Sequence, residues 1–167
     1  GMTEQLSPEQ AVSALLREKR LTLAAAESCT GGLIAKRMTD LSGASQIFMG
    51  GVVSYTNQVK ARVLGVPQAL LDEYGAVSEP VARAMAEGVR RITGADVGVS
   101  VTGVAGPDRD DRGNEVGTVY IALACADGTH SCLCRFGMLS RAEIRTMAAD
   151  AVFALVQSTI SSRAFML

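Results

Sequence analysis

LTLAAAESCTGG, residues 21–32, sets a short apolar run against a polar turn and two glycines. An apolar run bounded by turn residues suits a buried parallel strand, and Ile34, Met38 and Leu41 then recur at helical spacing before Ser42-Gly43 ends the pattern. Strand, turn and helix in succession are the building unit of α/β sheets. Upstream, Ser7-Pro8-Glu9-Gln10 reads as a capping box with proline in the first turn, opening a helix to about Arg20. Downstream, residues 47–55 (IFMGGVVSY) read as a second strand, in which Gly50-Gly51 marks a bulge or a close backbone approach. Residues 57–74 predict one or two short helices interrupted at Gly65-Val66-Pro67, and Ser78 is placed to cap the next helix, with Val81, Met85, Val89 and Ile92 as its buried stripe. Asp96 to Thr102 form a third strand, broken by Gly103 to Pro107, and residues 108–115 (DRDDRGNE) read as a solvated loop. Val116 to Ala126 and Thr129 to Phe136 read as a hairpin turning at Asp127-Gly128. Ser140 and Glu143 open the last helix with a second capping box, its core face predicted as Ile144, Met147, Ala151 and Leu155. The order predicts a three-layer α/β/α sandwich over a mixed, partly parallel sheet, in one domain over 1–167 with its core in about 7–157.

Composition narrows the function. Of 167 residues, 48% are apolar and 20% charged, with a formal net charge of −1, so the chain folds and carries no electrostatic footprint for nucleic acid or an acidic membrane surface. No apolar stretch reaches the 18 or so residues that span a bilayer, and the start of the chain is polar, so a cytoplasmic protein is expected. Gly1 ahead of Met2 reads as an expression scar. The four cysteines are expected to stay reduced. Cys132 and Cys134, two apart in HSCLCRF, share one strand face as small packed hydrophobes rather than zinc ligands. The single histidine, His130, is remote in sequence from every candidate nucleophile, which sets aside Ser-His-Asp and Cys-His chemistry. A hydrolase built here takes its base from Lys, Tyr or a carboxylate.

Sites in open α/β sheets form beyond the strand C-termini. Four segments lie there: Glu27 to Gly32, Ser54 to Lys60, Gly75 to Glu79, and Thr102 to Pro107. The first has amides at a helix start that suit an anion or oxyanion, and the second brings a phenol, an amide and an amine within six residues. Each also has a plain reading, as a cap, a tight turn or a solvated lysine. No G-x-G-x-x-G, phosphate loop or G-x-S-x-G elbow is present.

Together, AAESCTGGLIAKRM, GGVVSYTNQVKARVLGV, YGAVSEPVARAMAEG, DVGVSVTGVAGP and VGTVYIAL resemble, in matching order, the C-terminal domain of the competence/damage-inducible CinA proteins. The resemblance spans roughly residues 7–157. It implies an amidase that converts nicotinamide mononucleotide to nicotinate mononucleotide and ammonia, without a cofactor or metal. It further implies a homo-oligomer whose partner is that small molecule, not nucleic acid or membrane. Larger members carry an N-terminal domain whose activities are not expected of this sequence. By the same resemblance Ser28 is the nucleophile, with Lys60 and Tyr55 beside it. Thr30, Gly31, Gly32, Ser45, Asn57, Thr102, Gly103 and an arginine of the last helix then hold substrate. Arg145 fits the R-x-x-x-R pattern, with Arg141 as the alternative. Residues 108–115 depart from the glycine-rich stretch usual in the family. Two rival readings are a Cys29 nucleophile and a non-catalytic module in which the glycine turns cradle a phosphate. A lysine ordinarily titrating near ~10.4 serves as a base only where burial or positive neighbours lower its pKa. Metal-free catalysis predicts that exhaustive dialysis against a strong chelator leaves ammonia release from nicotinamide mononucleotide unchanged. Loss restored by zinc or magnesium would contradict it.

Overall fold

Ser7 and Gln10 cap each other as the sequence pattern requires, and α1 runs over Pro8–Lys19, closed by Arg20 in the left-handed region. The computed structural model describes residues 5–162, so the reading of Gly1 and Met2 lies outside the described residues. β1 (Leu23–Glu27) starts two residues later than the apolar run does, because the Thr22 amide and hydroxyl are spent on the Asp96 carboxylate. α2 (Leu33–Thr39), a 3-10 turn at Ala44–Gln46, β2 (Phe48–Val53), α3 (Asn57–Arg62), α4 (Gln68–Tyr74), α5 (Glu79–Thr93), β3 (Val97–Gly103), the β4–β5 hairpin (Thr118–Cys125, Gly128–Arg135) and α6 (Arg141–Ser161) follow.

The sheet order is β2-β1-β3-β4-β5, parallel across β2, β1 and β3 and antiparallel beyond. α1, α2 and α6 cover one face, against Leu23, Ala25, Val97, Val99, Val101, Ile121 and Leu123. The other face is paved with small residues, Ala24, Ala26, Gly98, Ser100, Ala122 and Ala124, and α5 lies close upon it. A Cβ on Gly98 would sit 2.4 Å from the Ala86 carbonyl oxygen. The chain is therefore a three-layer α/β/α sandwich over a mixed sheet. Among its described helices, none is long and apolar enough to cross a membrane.

Gly50-Gly51 does both things its sequence suggested. The register slips by one between Leu23↔Phe48 and Ala24↔Gly50, with Gly50 at φ +145, and a Cβ on Gly51 would lie 2.7 Å from the Ala25 carbonyl oxygen. Three details depart from the sequence reading. Ile92 is exposed, since α5 has turned away from the sheet there. Ser78 occupies the N-cap of α5, but its hydroxyl donates to the Gly75 carbonyl instead of accepting from the helix. The buried stripe of α6 steps by four, through Ile144, Ala148, Val152, Val156 and Ile160, leaving Met147 exposed and Ala151 and Leu155 half-buried, because the helix packs on α1 as well as the sheet. Arg37 of α2 ties α1 and α6 within their common layer through Glu9 and Asp150, each at 2.8 Å, and lies over the Phe153 ring. Its guanidinium, hydrogen-bonded to Glu9, holds that carboxyl down at about 2.

Because backbone, not a flexible side chain, faces Gly98, Gly98→Ala should lower stability by about 1–3 kcal/mol, the usual cost of overpacking. The denaturant midpoint should fall at constant m-value; an unchanged midpoint would contradict the seating of α5.

Candidate active site

β1 delivers Glu27 and Ser28 to the C-terminal edge of the sheet, where the connection after β1 turns to one face and that after β2 to the other. This divergence opens a crevice at the strand ends. Glu27 is buried and its carboxylate accepts from the Thr30 hydroxyl at 2.6 Å and from the amides of Gly32, Ile34 and Ala35 at 3.2, 2.9 and 3.0 Å. It thus caps α2 from within, in place of an exposed anion. The turn needs glycine twice, with Gly31 at φ +59 and Gly32 at φ +106. The amides of Cys29 and Thr30 make no hydrogen bond among the described residues. They are the remaining donors beside Ser28, so the reading of this turn as an open anion site narrows to two amides.

Lys60 comes from α3, whose N-cap Thr56 accepts from the Val59 amide. Its side chain is 1% exposed, and Nζ donates to Ser28 Oγ at 2.9 Å and to the Ser54 carbonyl at 2.7 Å. No carboxylate partners it among the described residues, and burial pulls its pKa from 10.5 to about 8. Cys29 is also buried, and desolvation pushes its thiol up to about 12, the opposite of an activated nucleophile.

Ser28 and Lys60 open onto a cavity of about 470 Å³ also lined by Tyr55, Asn57, Thr102, Gly103, Asp108, Asp110 and Arg141. The Tyr55 phenol stands at the mouth and accepts from Arg141 Nη2 at 2.9 Å, while Arg141 Nη1 donates to the Gly106 carbonyl at 2.6 Å. Thr102 Oγ1 donates to the Ala76 carbonyl, and a Cβ on Gly103 would lie 2.6 Å from Val119 Cγ2, so the β3 end accommodates only glycine beside β4.

The structure gathers Ser28, Lys60, Tyr55, Asn57, Thr102 and Gly103 around one cavity, and places five other expected residues elsewhere. Ser45 lies on the 3-10 turn preceding β2, at the opposite end of the parallel strands, and within one chain cannot reach Ser28. The Thr30 hydroxyl is buried on Glu27, and Gly31 and Gly32 shape the turn without lining the cavity. Arg145 lies behind the turn, its Nε donating to the Cys29 carbonyl at 3.1 Å and its Nη2 to that of Thr30 at 3.2 Å. Arg141 takes the cavity position instead. The loop 108–115 is pinned rather than merely solvated: the Asp110 carboxylate accepts from Arg112 and Asn114 amides, and Arg112 donates to the carbonyls of Leu71, Asp72 and Glu73 in α4. Sequence reading passed over the Glu27 cap and the Ser54 carbonyl, since only folding brings residues 27, 34, 54 and 60 together. His130 stays remote from Ser28 and Cys29, as the sequence implies, and the hairpin brings it beside Cys125 and Asp127.

The model of the CinA C-terminal domain matches residues 5–160. The chain belongs to the CinA family. A CinA-like protein of Geobacter sulfurreducens is 55% identical over 141 residues, covering 84% of this chain and 34% of that protein. Another, from Syntrophus aciditrophicus, is 56% identical over 127 residues, covering 76% and 30%. This chain thus spans about a third of the length of the curated relatives it matches. Among solved structures, a competence-damaged protein (CinA) superfamily protein from Klebsiella pneumoniae superposes with TM-score 0.90 at 26% identity, covering 93% of this chain and 97% of that one. The competence/damage inducible protein CihA from Agrobacterium tumefaciens superposes with TM-score 0.86 at 32% identity, covering 96% and 99%.

The lowered pKa of Lys60 sets a stability profile. Between about 8 and 10.5 the unfolded chain binds a proton that the folded chain does not, so stability rises with pH across that window. The raised Cys29 and Cys134 thiols act in the opposite sense above about 9 in both proteins, so the stability of the native chain relative to Lys60→Met should rise from pH 8 to 10.5; identical profiles in the two would reject burial of the amine.

Proposed function

We propose that this CinA-family chain is an amidohydrolase that converts nicotinamide mononucleotide to nicotinate mononucleotide and ammonia, with Ser28 as nucleophile and Lys60 as its base. One observation carries the reading: a buried lysine without a carboxylate partner among the described residues, 2.9 Å from a serine hydroxyl at a cavity floor. In its neutral form the amine accepts the Ser28 proton while Oγ attacks the carboxamide carbon. The Cys29 and Thr30 amides are the donors available to the oxyanion, a role in which one donor is typically worth ~2.7–4 kcal/mol. Lys60 then returns the proton to the departing nitrogen, which leaves as ammonia. Water, deprotonated by the same amine, attacks the acyl carbon, and Ser28 Oγ leaves with the proton restored.

The substrate pairs a cationic pyridinium with an anionic phosphate. Arg141 lines the cavity and offers the phosphate a guanidinium, whereas Arg145 lies behind the turn on the Cys29 and Thr30 carbonyls. Asp108, on the opposite sign, lines the same cavity. Tyr55, at the mouth, accepts from Arg141 and orients its guanidinium.

Ser28→Ala should abolish ammonia release while leaving the fold intact, and Cys29→Ala should retain most of it. Lys60→Arg keeps the charge but cannot deprotonate, so kcat should fall at least about a hundredfold, the lower range for general-base loss. The native kcat/KM should rise with pH through about 8, where the buried amine loses its proton. Near-normal kcat in Lys60→Arg would overturn the base assignment. Ligand binding without ammonia release would favour a non-catalytic module.

A further inference from the structure

The hairpin between β4 and β5 gathers three different donor atoms at the sheet end remote from Ser28. Cys125 Sγ lies 2.7 Å from Asp127 Oδ1, His130 Nε2 lies 3.9 Å from the same oxygen, and thiol, carboxylate and imidazole atoms all fall within 4.8 Å of one another. The ladder explains the convergence. Cys125 pairs with Gly128 and Leu123 with His130, so Cys125 and His130 leave the same face of the sheet two positions apart, and Asp127 reaches back from the turn. Gly128 contributes no side chain opposite the thiol, and the position of its absent Cβ has nothing within 4 Å. The Asp127 and His130 side chains are 43% and 34% exposed, which leaves a path from solvent to the partly enclosed sulfur.

One sulfur, one oxygen and one imidazole nitrogen form the donor set of borderline-soft divalent transition metals. Zinc-type bond lengths place tetrahedral ligands roughly 3.3–3.7 Å apart, a spacing reached from the present one by small side-chain rotations. We propose that the hairpin is a zinc-type metal site, held by Cys125 Sγ, the Asp127 carboxylate and His130 Nε2, with water as the fourth ligand. On binding, the Cys125 S–H bond breaks, its proton passes to solvent and a metal–thiolate bond forms, with no change in metal oxidation state. The metal fastens the turn of the outermost hairpin. Lying at the far end of the sheet, it takes no part in the proposed deamidation.

The test is a titration of the reduced, metal-free full chain with Co²⁺. A saturable thiolate-to-Co²⁺ charge-transfer band at a single equivalent, displaced by Zn²⁺, is expected. Asp127→Asn and His130→Ala should each weaken Co²⁺ binding at least about tenfold, the lower bound for lost metal-site support. Cys125→Ser should abolish the band, while Cys132→Ser leaves it intact. Should Cys125→Ser fail to fold, the two more exposed variants decide the matter alone. No saturable band, a band indifferent to Asp127→Asn and His130→Ala, or one lost in Cys132→Ser would each overturn the proposal. The readout is independent of ammonia release, so it stands or falls separately from the Ser28 mechanism.

Discussion

The Glu27 carboxylate is the constraint on which the site depends. One side chain at the end of β1 takes a hydroxyl and three amides from the turn and first residues of α2, while its own carbonyl accepts from the amide of Ser54 beyond β2. A helix start is ordinarily left for solvent or a ligand to satisfy. Here it is satisfied internally, which ties β1, α2 and the end of β2 into one unit. Ser28 is carried on that unit, and Ser54 presents the carbonyl that orients Lys60. The position of the hydroxyl against the amine thus follows from a cap several residues away.

Burial of Lys60 is the complementary constraint. An ammonium removed from water without a carboxylate is costly, and the described residues offer it one carbonyl and one hydroxyl. The consequence is a depressed pKa, so the destabilising charge and the poised base are two aspects of one placement. Partnering the lysine with a carboxylate would restore stability and hold the amine protonated, unable to accept a proton. The opposite treatment of Cys29 is equally physical: desolvation favours the neutral form of either group, which leaves the amine free to accept a proton and the thiol inert.

The sheet keeps these features apart from the rest of the molecule. Large aliphatic residues on one face support α1, α2 and α6, whereas the small residues of the other admit α5 to backbone contact. The parallel strands end together at the cavity. The antiparallel hairpin turns at the other end, so Cys125, Asp127 and His130 are separated from Ser28 by the length of the strands.

Local signals in the sequence determined the element order, both capping boxes, the Gly50 bulge, the hairpin and the layered class, because each depends on neighbouring residues or on a short period. Ser28 and Lys60 were named by motif resemblance, and Tyr55, Asn57, Thr102 and Gly103 with them. Tertiary structure alone decided what these residues meet. It turned the α2 amides onto Glu27, assigned Arg145 to carbonyls and Arg141 to the cavity, carried Ser45 to the other end of the strands and rotated the buried stripe of α6. Such outcomes depend on contacts between residues from 5 to 116 positions apart, and a period or a cap holds no record of which partner a donor will find.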